Sequence, residues 1–143
     1  MATVIREAAV GAPAAYCWDA LRDFFALHQR LAGGFVTNTE MVNDRDRQVT
    51  FFTGAVALER LIGTDNDAMR LAYSVIDGPM GATHHNASAQ IVPDGPRWCR
   101  FVWITDVLPD ELGPRTASLM EAGLLAMKST LERESVQNAP GNG

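Results

Sequence analysis

The chain has 143 residues, of which 47% are hydrophobic and 20% charged, a globular balance that excludes wholesale disorder and suits one domain with a sizeable core. Its 17 acidic against 12 basic side chains leave a net charge of −5 with no basic run, so neither nucleic acid nor stable membrane association is expected. No stretch is apolar for long enough to span a bilayer, and the opening residues lack the basic patch and apolar core of a secretory signal, which makes the cytoplasm the expected location.

Residues 3–10 read as an opening strand, ended by Gly11-Ala12-Pro13. Pro13 suits the first turn of a helix, where its missing N–H is not needed. Residues 14–22 follow with Ala14, Cys17, Trp18 and Leu21 on one helical face. A second short helix is predicted over 24–31, closed by Gly33-Gly34. From Phe35 the period drops to two. Strands are predicted over 35–42, 48–53, 56–64, 69–76, 84–92 and 97–107, parted by turn-forming runs at 43–46, 65–67, 78–81 and 93–96. Connections this short imply an antiparallel meander. Pro109-Asp110-Glu111 then suits a helix start, and Gly113-Pro114 is either a kink or the true first turn. Ala117, Met120, Leu124, Met127 and Leu131 recur at helical steps. A helix over 114–135 would be about 33 Å long. Gly123 lies on the same broad face and lowers helix propensity, which suggests that it makes room for a neighbour. One domain is expected over 1–137, with a disordered tail at 138–143.

Alternation assigns the strand faces. Leu71, Tyr73 and Val75 are expected inward, as are His85, Ala87, Ala89 and Ile91, and Cys99, Phe101, Trp103, Thr105 and Val107. In 56–64 the mostly apolar set Val56, Leu58, Arg60 and Ile62 is taken as the inward one. An apolar sheet face needs a cover, and the last helix is the element long enough to supply it. Small residues stand beside large aromatics in the inward sets, a pattern that hints at a cavity.

The order of elements resembles the START/polyketide cyclase-like (SRPBCC) helix-grip superfamily over roughly residues 3–133. The resemblance is carried by Ala12-Pro13, Tyr16-Cys17-Trp18 and Leu21-Arg22-Asp23, then Gly54, Glu59-Arg60-Leu61 and Asp65. It continues through 71–79, Pro93-Asp94-Gly95, Phe101-Val102-Trp103, Gly123-Leu124-Leu125 and Leu131-Glu132. Residues 73–78 also resemble the pollen-allergen branch. The resemblance implies an α+β fold in which a curved antiparallel sheet of six to seven strands wraps a long C-terminal helix, with two short helices after the first strand. It also implies a cavity between sheet and helix. Members bind lipids, sterols, polyketides or quinones; some are cyclases or aromatases, others carriers or cochaperones. Fold alone does not choose among these.

The ligand-lining set expected here is Arg60, Leu71, Tyr73, His85, Phe101, Trp103, Met120 and Leu124. Tyr73 and Trp103 each join an aromatic body to one polar handle, and Met120 can adapt to an irregular ligand. Arg60, inside an apolar set, must snorkel, pair with a carboxylate or meet an anionic ligand. His84 and His85 are adjacent on a strand and point to opposite faces, so they cannot share a metal. His85 is the candidate catalytic acid/base or ligand donor; its alternative is a histidine bonded to backbone near a loop. Asp106 fits a helix cap or an acid/base role. Cys17 and Cys99 have neither metal-ligand spacing nor a nucleophile signature and read as buried thiols. No nucleophile elbow, phosphate loop or dinucleotide fingerprint is present, and no metal or cofactor is expected. Three functions follow: a binder of a small hydrophobic ligand, a cyclase/dehydratase-type enzyme, and a cochaperone-like or homodimeric interaction module. The last would use an apolar outer patch at Ala72, Val102 and Ile104.

Overall fold

The computed structural model describes residues 2–137. Seven strands form one antiparallel sheet: β1 (Ala2–Val10), β2 (Val36–Met41), β3 (Asp46–Phe51), β4 (Val56–Asp65), β5 (Arg70–Asp77), β6 (His84–Pro93) and β7 (Cys99–Leu108). Helices α1 (Ala14–Arg22) and α2 (Leu27–Arg30) follow β1, and α3 (Gly113–Gln137) follows β7. The spatial order is β1-β7-β6-β5-β4-β3-β2. Strands β2 to β7 are therefore a meander, and β1 pairs with its last member from Ala2 opposite Val107 to Val10 opposite Cys99. This is the α+β helix-grip fold that the sequence predicts. The tail at 138–143, expected to be disordered, lies outside the described residues.

Local chemistry explains the element ends. Pro13 sits just before α1 in extended conformation, and its carbonyl accepts from the Cys17 N–H at 3.1 Å. The helix buries Cys17, Trp18, Ala20 and Leu21, and Trp18 Nε1 donates to Asn66 Oδ1 at 3.1 Å, tying α1 to the β4–β5 turn. The second predicted helix is split into a 3-10 turn at Phe24–Ala26 and the single turn of α2. Arg30 closes this corner by binding Asp19 and Asp23 at 2.7 and 3.0 Å. Gly113-Pro114 is the true first turn of α3, after a 3-10 turn at Asp110–Leu112. With 25 residues, α3 is about 38 Å long. Its far half is pinned to the end of β1: Glu132 accepts from the Gly11 N–H at 2.7 Å, and Lys128 donates to the Ala9 carbonyl at 2.6 Å.

The inward faces of β5, β6 and β7 are those expected from alternation, with Leu71, Tyr73, Ala87, Ala89, Ile91, Phe101, Thr105 and Val107 all buried. Strand β4 is the exception. Ala57 and Glu59 are buried, while Val56, Arg60 and Ile62 are exposed. The reason is charge pairing along the β3–β4 ladder, where Asp46 stands opposite Arg60 and Arg47 opposite Glu59. Each face carries one complementary pair, so the polarity of β4 alone does not reveal which face turns inward.

Candidate functional site

A cavity of about 260 Å³ lies between the inner face of the sheet and α3. Its walls carry Val49, Ala57, Leu71, Val75, Ala89, Phe101, Trp103, Met120 and Met127. The space exists because Ala57 and Ala89 stand where larger aliphatic side chains would fill it. Gly123 has a second role in its shape. A β-carbon there would lie 3.2 Å from both Phe35 Cε2 and Trp103 Cζ3, so the bare backbone lets these two rings press against α3. Phe52, Ile76 and Leu119 border the cavity and are also solvent-exposed, which marks its open side.

Polar groups interrupt this apolar wall at a few fixed points. Arg47 and Glu59 project from neighbouring positions of β3 and β4 into the interior, 5% and 6% exposed. Arg47 donates to Glu59 Oε1 through Nε at 2.9 Å and to the Phe24 carbonyl through Nη1 at 2.7 Å, and its Nη2 lies 2.7 Å from Glu59 Oε1 as an ion pair. Its guanidinium carbon lies 3.7 Å from the centre of the Phe24 ring, a cation–π contact. Burial of this charge is tolerable because the Glu59 carboxylate pairs with it; an unpaired one would cost several kcal/mol.

Tyr73 Oη accepts from Trp103 Nε1 at 3.2 Å. Burial, and then the nearby Glu59 carboxylate, push its phenol well above the usual range, so the O–H keeps its proton. His85 also lines the cavity. Burial holds its imidazole below the usual value; Glu59 pulls it up and His84 pushes it down. Near neutral pH the ring is therefore uncharged, with one nitrogen donating and the other accepting. A neutral imidazole beside a protonated phenol can accept a proton at one point of a bound molecule and donate at another.

Of the residues expected to line a cavity, Leu71, Tyr73, His85, Phe101, Trp103 and Met120 stand on this wall. Leu124 is buried in the core but is not part of the wall. Arg60 is displaced altogether. Its side chain is 51% exposed on the outer face and binds Asp46 through Nε and Nη2 at 2.9 and 3.1 Å. Arg47 supplies the guanidinium inside instead. Neither Arg47 nor Glu59 was expected here, yet a signal was present: Asp46-Arg47 and Glu59-Arg60 are placed symmetrically about Thr53, in the turn that also holds Gly54, and a hairpin register converts them into two opposed pairs. Cys17 and Cys99 are buried free thiols away from the cavity wall; a hydrogen bond with Cys99, and then burial, push the Cys17 thiol far above its usual range. Among the described residues no three His, Cys, Asp or Glu side chains gather as metal ligands would, and no helix is long and apolar enough to cross a membrane.

Residues 1–133 match the family model described as polyketide cyclase / dehydrase and lipid transport. No curated protein matches the sequence. Several solved structures are similar. A protein from Thermobifida fusca, solved by solution NMR, is 28% identical over 97% of this chain and 96% of its own, with a TM-score of 0.73. A START superfamily protein from Mycobacterium smegmatis is 18% identical over 94% of this chain and 97% of its own, with a TM-score of 0.73. The Zhui aromatase/cyclase from Streptomyces sp. R1128 is 14% identical over 99% of this chain and 98% of its own, with a TM-score of 0.74. At such identities the last two speak for the shared fold.

Proposed function

This chain belongs to the polyketide cyclase / dehydrase and lipid transport family, and from that premise we propose that its cavity binds a compact hydrophobic molecule such as an aromatic polyketide, an isoprenoid or a small lipid. The observation that carries the reading is an apolar space of about 260 Å³ with a few fixed polar groups on its wall, the usual make-up of a small-molecule site. The volume falls just below the roughly 300–1,000 Å³ common for drug-sized ligands, which favours a ring system over a long acyl chain. Native mass spectrometry of freshly purified protein, with thermal melts across a panel of polyketides, isoprenoids and lipids, tests this. A bound mass, or a concentration-dependent rise in Tm, is expected. Absence of both counts against the proposal.

A second reading, a cyclase or dehydratase, is favoured by one specific observation: an uncharged His85 shares the cavity with the protonated Tyr73. The imidazole would remove a proton next to a ligand carbonyl while the phenol steadies the enolate oxygen, and the walls would hold the chain folded. If so, His85→Gln abolishes conversion of a short poly-β-ketone but leaves its binding. Equal product with and without the protein would sink the enzymatic reading and leave the binding one.

A further inference from the structure

Four charged residues line the cavity; Asp77 and Arg115 are exposed at its rim, while Arg47 and Glu59 are buried inside it and are satisfied unequally. Arg47 donates through Nε to one carboxylate oxygen, Glu59 Oε1, keeps Nη2 within ion-pair distance of that same oxygen, and gives Nη1 to the Phe24 carbonyl. Its charge is paired within the protein. The other oxygen, Glu59 Oε2, has no hydrogen-bond partner among the described residues. It is not among the sealed, unpartnered side-chain atoms either, which are His28 Nδ1 and Thr39 Oγ1, and Glu59 lines the cavity. Tyr73 is complementary. Its oxygen already accepts from Trp103 Nε1, while its own proton is committed to no protein acceptor among the described residues.

These two groups are close. On the β4–β5 ladder Glu59 stands opposite Val75 and Leu61 opposite Tyr73, which makes Glu59 and Tyr73 diagonal neighbours on the inward face. The backbones at such positions are about 7–8 Å apart, and the Arg47 guanidinium carbon, whose Nε binds Glu59, lies 5.5 Å from the centre of the Tyr73 ring, so the carboxylate and the phenol share one part of the cavity wall.

We infer that this cavity selects ligands ending in a neutral hydroxyl, phenolic or enolic, over ligands ending in a carboxylate, with the hydroxyl donating to Glu59 Oε2 and accepting from Tyr73. The inference rests on the binding reading above. A ligand carboxylate would set a second negative charge against Glu59, in a wall of low dielectric where Arg47 is already neutralised. It would also offer Glu59 no proton. A bare hydrocarbon meets no repulsion but leaves Oε2 without a donor, so it should rank between the two.

Calorimetric titration near neutral pH with 2-naphthol, naphthalene and 2-naphthoate tests this, because the three share a ring system and differ at one end. The naphthol is expected to bind at least about tenfold more tightly than the naphthoate, as a hydrogen bond to a charged group implies. Glu59→Gln should weaken naphthol and strengthen naphthoate, since it removes the repelling charge and frees Arg47. Tyr73→Phe leaves the Arg47–Glu59 pair in place and is the second variant should Glu59→Gln fail to fold; it should weaken naphthol more than naphthalene, and an equal change in both overturns the inference. If naphthoate binds as tightly as naphthol to the unaltered protein, the inference is overturned and the binding reading stands. A preference that survives in folded Glu59→Gln also overturns it. If none of the three binds, the inference is overturned, and the ligand panel above decides the binding reading by itself.

Discussion

A β-carbon at Gly123 would stand 3.2 Å from rings of both Phe35 and Trp103. Trp103 has the cavity beside it and can yield into that space by a few tenths of an ångström. Alanine would also return up to about 1 kcal/mol of helix propensity. Gly123→Ala is therefore expected to leave stability within about 1 kcal/mol of the parent while lowering ligand affinity, which thermal melts and titration of the same variant would read separately. Arg60 gives the opposite contrast. It lies outside the cavity, against Asp46, so Arg60→Ala should leave ligand affinity unchanged; a clear loss would return Arg60 to the site. The sequence exposes Tyr73, His85, Phe101 and Trp103 because each belongs to the more apolar of the two alternating sets in its strand. Arg60 misleads because its neighbours Val56 and Ile62 are apolar and yet exposed.

The β3–β4 hairpin is the element on which the polar character of the site depends. Its ladder sets Asp46 against Arg60 on one face and Arg47 against Glu59 on the other. Only the second pair is buried on both sides, with side chains 6% and 8% exposed. Removing one partner leaves the other charge buried alone, so Arg47→Met is expected to destabilise the fold by about 3–5 kcal/mol. Replacing Glu59 with Leu in the same chain should recover most of that loss. Urea unfolding of the two single variants and the double variant measures this, and additive losses would show that the two residues do not act as a pair. The strands themselves were legible from alternation and turn residues. The pairing was not, because a charge reads as an outward residue until the opposite charge is placed across from it.

For the molecule as a whole, His85 links stability to pH. Burial holds it below 6.5 in the folded protein, so between its folded and unfolded values the unfolded chain binds more protons. Stability therefore rises with pH through that window and is lost as pH falls through it. His85→Gln should shrink the drop in unfolding free energy between about pH 7 and about pH 5; an identical drop in parent and variant would refute this. Asp19 and Glu132, held low chiefly by hydrogen bonds from Arg30 and Lys128, work in a more acid range. Their contribution is present above their ordinary values of 3.8 and 4.5 and fades as pH falls below them.

The order of elements, the antiparallel meander and the long last helix were determined by the sequence itself. Periodicity, turn residues and short connections act between near neighbours in the chain, so they can be read without knowing where anything packs. The orientation of β4 and the shape of the cavity were decided only by tertiary structure. Glu59 turns inward because Arg47, twelve residues away, cancels its charge across the ladder. The cavity stays open because Ala57, Ala89 and Gly123, from two strands and a helix, leave space in one place, and such a void belongs to their packing and to no single segment.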